Sequence, residues 1–295
     1  MKKILVTGSN GFLGMHLTEK IRVKKALKLI ATGTGPDRFP DPCGYVYAPM
    51  DITEEDEVRE VIGTYAPDVI IHTSAISHVD ACERDPEKCR RINVEATRTL
   101  AKIAGEKGIH FIFLSTDFVF DGENGPYSES DRLSPVNEYG RSKAEAEKIV
   151  GENSTAAIVR TILVYGKPHN PARGNIVTWA VSELRAGRQI KVAGDHWRMP
   201  TYVSDLADSC ISIAEQRMGG IFHISGEEGM SVYELVCRAA RFYQLDETLI
   251  EAVPASFFGG QARRPMRTGF HITRAKDEID YQPLPVDEAF RVMNL

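Results

Sequence analysis

Tyr139 and Lys143 stand four places apart in the run NEYGRSK, within a stretch that reads as helix. Residues at i and i+4 share a helical face about one turn apart, so a phenol lies beside an ammonium. On an open surface such a pair is merely solvated. In a cleft it is a proton donor whose acidity the fixed positive charge raises. Ketone reduction needs such a donor, because hydride goes to carbon and a proton must reach the developing alkoxide. An unperturbed tyrosine, with a pKa of about 10, is a poor proton source at neutral pH, and the ammonium is expected to lower it.

A second pattern lies far upstream. TGSNGFLG sets Gly8, Gly11 and Gly14 in G-x-x-G-x-x-G spacing, with Asn10, Phe12 and Leu13 between them. At a strand-to-helix junction these glycines allow a tight turn and close approach of backbone to a pyrophosphate, and the helix N-terminus attracts the anion. The next strand runs into Thr32, Gly33, Thr34 and Gly35, with no acid before Asp37 and with Arg38 following. A carboxylate at that strand end would bind the ribose 2′-hydroxyl of NAD. Its absence, with Arg38 near, tilts the expectation slightly towards NADPH, NADH remaining usable; a solvated arginine is the competing reading.

These residues need a scaffold. KKILVTG reads as a strand and Phe12 to about Val23 as a helix. Strands follow at LKLIATG, YVYAPMD, PDVIIHTSA, IHFIFLSTD and AAIVRTILVYG, with helices at EEDEVREVIGTY, at about Glu87 to Glu106 and around Tyr139. Several strands are apolar without alternation, the mark of a parallel sheet covered on both faces. The reading is therefore an α/β, doubly wound parallel sheet with ligands at the carboxyl ends of its strands. Residues 1–165 would bind the dinucleotide. Residues 166–295, with helices near 176–186, 204–216 and 231–243 and a strand at GGIFHIS, would form a smaller α+β lobe, with a soft and discontinuous boundary.

Taken together, TGSNGFLG, MDIT, HTSA, NVEAT, LSTDFVFDG, YGRSK and RMPTYVSDLA resemble the extended short-chain dehydrogenase/reductases, over most of the chain. The run from Leu114 to Lys148 looks most like the dTDP-4-dehydrorhamnose reductases of that family, which use NADPH on an activated sugar. The resemblance implies that Thr116, Tyr139 and Lys143 are catalytic, with Lys143 also holding the nicotinamide ribose. It implies that Asp51 and Ile52 meet the adenine, that Thr73, Ser74 and Ala75 line the cofactor channel and that Ser115 borders it. Asn93 would be the family's helix asparagine, and Asp117 would lie at the substrate beside Thr116. Arg263 and Arg264 are the candidates for a substrate diphosphate, since a guanidinium fork matches its oxygens; a solvated basic loop is equally in keeping with either one alone.

Two positions depart from the reductase pattern: Phe118 stands where Tyr is usual, and Leu163 where Trp is expected at the sugar. Phe118 also occupies the place where sugar-nucleotide dehydratases carry their acidic Glu. A nucleotide-sugar 4-epimerase retaining NAD is a runner-up. A non-catalytic regulatory subunit similar to the methionine adenosyltransferase β subunit is another.

Composition narrows the rest. The chain has 295 residues, a formal charge of -5 and no long basic run, which argues against nucleic acid as a partner. No apolar stretch approaches the roughly 20 residues of a membrane span, and the short Ile4-Leu5-Val6 run is no signal sequence. The five cysteines include no C-x-x-C pair and read as reduced, mostly buried thiols of a cytoplasmic protein. No metal site is expected, because Cys82, Cys89, His72 and His78 lack zinc spacing. Ser142 lies in no G-x-S-x-G elbow. A homodimer is allowed, and not required, by these features.

Overall fold

A computed structural model describes residues 1–171 and 174–295. Seven strands form one sheet: β1 (Lys2–Thr7), β2 (Leu27–Gly33), β3 (Val46–Pro49), β4 (Val69–His72), β5 (His110–Thr116), β6 (Ala157–Thr161) and β7 (Gly220–Ile224). Their order in space is β7-β6-β5-β4-β1-β2-β3, and every pairing is parallel. The order reverses between β1 and β4, where an open α/β sheet leaves a crevice at the carboxyl ends of its strands. This is the doubly wound sheet expected from the sequence.

Burial explains the apolar strands. Along β1, Ile4 and Val6 pack into one core cluster and Leu5 into another on the opposite face. All seven residues of β5 are buried. Helices cover both faces, so the central strands β4 and β5 have no solvent side on which polar alternation would be selected.

Two elements differ from expectation. The helix foreseen from Glu87 to Glu106 is three pieces: Pro86–Arg90, a π-helical turn at Arg91–Glu95, and Ala96–Lys107. Such a turn carries an extra residue and re-aims its side chains, here Asn93. The strand in GGIFHIS, read as part of the second lobe, is instead β7, paired with β6 in the register Ile221↔Ile158. The preceding helix, Val203–Gln216, packs on the first helix, Phe12–Arg22. Residues 203–224 thus return to the main sheet.

The remaining C-terminal elements have cores of their own. Ile190–Ala193 pairs with Ile250–Val253, while Val177, Leu235 and Phe290 gather the helices Ile176–Arg185, Val232–Phe242 and Val286–Met293. Among the described residues no helix is long and apolar enough to cross a membrane.

Candidate active site

The glycine turn joins β1 to the first helix. Gly8 has φ +71°, and a Cβ at Gly14 would stand 2.2 Å from the Gly8 carbonyl oxygen, so neither position has room for a side chain. The turn leaves the helix N-terminus, at Gly11, without a side-chain cap and facing the crevice. Asn10 is not free to reach a ligand: its Nδ2 donates to Pro36 O and Tyr47 Oη, and its Oδ1 accepts from the Arg38 amide. It staples the turn to the segment after β2.

A cleft of about 360 Å³ opens there, lined by Gly8, Asn10, Gly11, Arg38, Asp51, Ile52, Thr73, Ser74 and Ala75 among others. Every one of these residues was anticipated; Arg91, a second exposed guanidinium in the lining, was not. Asp37, the first acid after β2, is absent from the lining. Its carboxylate accepts from Tyr45 Oη at 2.6 Å and from the Phe39 amide. The Thr73 hydroxyl is likewise engaged, donating to Thr7 O at 2.7 Å.

The cleft continues into a cavity of about 630 Å³ that brings Phe12, Leu13 and Gly14 together with Ser115, Thr116, Asp117, Tyr139 and Lys143. The helix Glu138–Gly151 is capped by Asn137, whose Oδ1 accepts from the Gly140 amide at 2.8 Å. A Cβ at Gly140 would lie 2.1 Å from Phe118 O. Glycine in YGRSK therefore lets the helix press against the end of β5, which sets Tyr139 beside Thr116. Asn93 supports this end: it bonds both backbone groups of Ile76 and donates to Ser142 Oγ, which donates in turn to Tyr139 O.

The electrostatics differ from the simple phenol–ammonium picture. Burial pushes the Tyr139 hydroxyl well above its usual range, against a hydrogen bond with Thr116. Lys143 is buried, its Nζ 3.9 Å from the Phe113 ring centroid, and burial pushes its ammonium down to about 7, with Glu147 opposing. The expected lowering of Tyr139 by Lys143 is not seen, because desolvation of the phenol outweighs any help from the amine.

This has a consequence for stability. The folded pKa of Lys143 lies below the unfolded lysine value of about 10.4, so the unfolded chain binds the extra proton between those values. The group's contribution rises with pH from about 7 to about 10 and is most unfavourable below that window. We expect Lys143→Met to remove this slope, so that its melting temperature relative to wild type falls as pH increases through the window. A difference that stays flat would show that Lys143 keeps an ordinary pKa.

Ser115 and Asp117 line the cavity with side chains already engaged. Ser115 Oγ donates to Glu147, which is ion-paired with the fully buried Arg160 at 2.7 Å. Asp117 accepts from Thr116 through one oxygen and from Thr268 through the other, with Arg198 Nε at 3.7 Å. Burial raises its pKa and Arg198 opposes. Asp117 thereby ties β5 to the segment around Thr268.

A third cavity, of about 440 Å³, shares Phe118 and Leu163 with the second and extends into the C-terminal elements. Trp179, Lys191, His196 and Phe258 in its wall had no motif to reveal them, while Arg198 opens the RMPTYVSDLA run without having been singled out. Arg264 lines it while paired with Asp80. Arg263 is exposed and outside the lining of these three cavities; its carbonyl accepts from Asn137 Nδ2 at 2.7 Å. Leu163, at the joint, has φ +35°, a strained conformation for a branched residue and one that often marks a functional site.

Among the described residues one trio, His16, Glu19 and His169, has metal-capable atoms within 4.8 Å of one another. His16 Nε2 is 3.0 Å from Lys167 O and His169 faces Glu19 at 3.1 Å, which accounts for the grouping without an ion.

A parallel sheet with this glycine turn, and with Thr, Tyr and Lys gathered across the switch point from it, is the scaffold of the extended short-chain dehydrogenase/reductases. Residues 1–293 match the family described as the RmlD substrate binding domain, and the chain belongs to that family. It is 34% identical over 281 residues to methionine adenosyltransferase 2 subunit beta of Danio rerio, covering 92% of this chain and 84% of that one. It is 30% identical over 282 residues to the probable low-salt glycan biosynthesis reductase Agl14 of Haloferax volcanii, covering 93% and 91%. The crystal structure of dTDP-4-dehydrorhamnose reductase from Bacillus anthracis in complex with NADP superposes with a TM-score of 0.84, at 27% identity, over 100% of this chain and 99% of that one.

Proposed function

We propose that this protein reduces a nucleotide-linked 4-keto-6-deoxy sugar with NADPH, dTDP-4-dehydrorhamnose to dTDP-rhamnose being the first candidate. One observation carries the reading: Thr116, Tyr139 and Lys143 line the same cavity as the glycine turn. The NADP complex of the Bacillus anthracis reductase and the reductase name of the Haloferax relative support it.

The cleft suits a dinucleotide. Gly8, Gly11 and Gly14 leave backbone open to a pyrophosphate, Asp51 and Ile52 would flank the adenine, and Ser74 and Ala75 would line the channel. NADPH supplies the hydride. Lys143 would hold the nicotinamide ribose, Thr116 would bond the substrate oxygen by turning its hydroxyl from Asp117, and Tyr139 would give the proton to the forming alkoxide. Asp117 and Ser115 act by holding the floor of the cavity, since their polar atoms face protein partners. The nucleotide end of the substrate lies in the third cavity, against Trp179 and Phe258, with Lys191 and Arg264 at the diphosphate. The substrate lobe then comprises residues 166–202 and 225–295, the segment between them belonging to the sheet.

Asp37 faces Tyr45 rather than the cleft, whereas Arg38 and Arg91 both border it. We therefore expect NADPH to bind at least as tightly as NADH. A hydrogen bond to a charged group contributes about 1.5–3 kcal/mol, so Arg38→Ala should cost NADPH roughly tenfold or more and leave NADH nearly unchanged. Titration of both cofactors checks this; a wild-type preference for NADH would refute it.

The test is to supply NADPH and enzymatically generated dTDP-4-dehydrorhamnose and follow absorbance at the nicotinamide band. Oxidation with another nucleotide-linked ketone alone would keep the reductase and change the sugar. The likeness to the methionine adenosyltransferase subunit supports a second reading, a non-catalytic regulatory subunit. It predicts no turnover with any ketone but binding to a methionine adenosyltransferase catalytic subunit.

A further inference from the structure

Apart from the Trp179 indole, the polar side chains in the wall of the third cavity are all nitrogen bases or cations: Lys191, His196, Arg198 and Arg264. Among the described residues no carboxylate, amide or hydroxyl side chain joins them, and the rest of the wall is apolar. Such a cavity suits an anion carried on an apolar or aromatic group. Three of the four are already committed. Arg198 donates to the carbonyls of Trp197 at 2.7 Å, Pro265 at 2.7 Å and Met266 at 3.2 Å, with Asp117 3.7 Å from its Nε. Arg264 is paired with Asp80 and donates to Ala262 O. Lys191 Nζ lies 3.5 Å from Glu251 and 4.3 Å from the Phe257 ring centroid.

His196 is different. It is only 7% exposed, yet among the described residues its ring makes no hydrogen bond, and its nitrogens open on the cavity. An unspent polar group this deeply buried is costly to keep and calls for an explanation. The backbone around it is fixed. His196 O accepts from the Val232 amide at 3.0 Å, and the Asp195 carboxylate holds the Ala255 amide at 3.0 Å. Trp197 and Arg198 pair with Ser231 and Met230. Side chains alternate along this extended stretch, so His196 and Arg198 face the cavity. Trp197 turns away, its ring centroid 4.6 Å from the Arg267 guanidinium carbon. Burial, with Arg198 beside it, holds the imidazole below its usual pKa, so the ring is neutral and has one N–H to give.

We propose that His196 is a substrate-binding residue whose ring N–H donates to a diphosphate oxygen of the nucleotide-linked sugar. This rests on the reading that the third cavity takes the nucleotide end of the substrate. Lys191 and Arg264 are partly exposed and supply charge, whereas His196 supplies a buried, directed bond. The ligand is then the partner that the protein itself does not give this ring.

The experiment measures binding without turnover, by calorimetric titration with dTDP-glucose, which has no ketone, and with thymidine as the diphosphate-free control. His196→Phe should weaken dTDP-glucose roughly 10- to 100-fold, the worth of a hydrogen bond to a charged group. His196→Gln keeps an N–H donor and should stay within a few-fold of wild type, and thymidine should bind all three proteins alike. The ligand-free His196→Phe protein should melt no lower than wild type, because the ring it loses has no protein partner; a purely structural histidine predicts the opposite. Equal affinity of His196→Phe and wild type for dTDP-glucose would overturn the inference and leave the reading of the cavity standing. A matching loss for thymidine would show that the ring meets the base, which overturns the diphosphate contact. If the wild type binds neither dTDP-glucose nor UDP-glucose, the reading of the cavity falls and the inference with it. Should His196→Phe not fold, NMR of the His196 ring nitrogens in the wild type decides: dTDP-glucose must shift them and thymidine must not.

Discussion

Tyr139→Phe is expected to lower turnover by roughly 10²–10⁴-fold, the usual worth of general acid catalysis, while NADPH binds almost as before. The change removes only the hydroxyl. The ring keeps its edge-to-face packing on Phe118, with centroids 5.8 Å apart, and the backbone carbonyl keeps its bond from Ser142. A loss confined to the proton-transfer step lowers kcat and kcat/KM together and leaves cofactor affinity alone. Steady-state kinetics beside a NADPH titration make the comparison. Near-normal turnover would mean that another group gives the proton; lost cofactor binding would mean that the phenol belongs to the cofactor site.

The largest effect on stability is expected at Glu147. Its carboxylate receives Arg160 through Nε at 3.0 Å and Nη2 at 2.7 Å, and it accepts from Ser115. Both members of the pair are nearly inaccessible. Arg160 is further fixed by the Glu129 carbonyl at 3.2 Å and His223 at 3.1 Å, with Phe120 against its guanidinium. Glu147→Ala strands a buried guanidinium, which typically costs about 3–5 kcal/mol. For a chain of this size that is a fall in Tm on the order of 10 °C. Replacing both partners with apolar residues of similar volume should recover much of the loss, because the uncompensated charge, and not the absence of attraction, is what destabilises. Thermal melts of the single and double variants decide it; a Glu147→Ala protein as stable as wild type would show that Arg160 finds solvent.

How much of this was legible in the chain follows from the range of each interaction. The glycine turn and the Tyr139–Lys143 spacing are set within a few residues, and the structure places them where local pattern implied. The placement of β7 was not legible, since an apolar strand fits the edge of a large sheet or a small one equally well. Asp37 is another case: its removal from the cofactor cleft depends on Tyr45, which reaches it only once β3 lies beside β2. Asp117 looked like a substrate ligand because of its neighbour Thr116, yet Arg198 and Thr268, far along the chain, claim its carboxylate. Arg263 and Arg264 are adjacent in sequence and part company in space, one exposed and one in the cavity wall. The apolar wall of the third cavity, Trp179 and Phe258 included, carries no spacing signal, because its members come from separate elements with no shared period.

The most direct test of the central claim follows the hydride itself. The protein is given NADPH carrying deuterium at both positions of the nicotinamide C4, together with dTDP-4-dehydrorhamnose, and the recovered sugar is examined by mass spectrometry and NMR. A cavity in which Thr116, Tyr139 and Lys143 meet the cofactor should deliver one deuterium to the former keto carbon for each NADPH consumed. Tyr139→Phe should slow that transfer without moving its position. A sugar recovered without deuterium, from this ketone and from every other nucleotide-linked ketone supplied, would contradict the account.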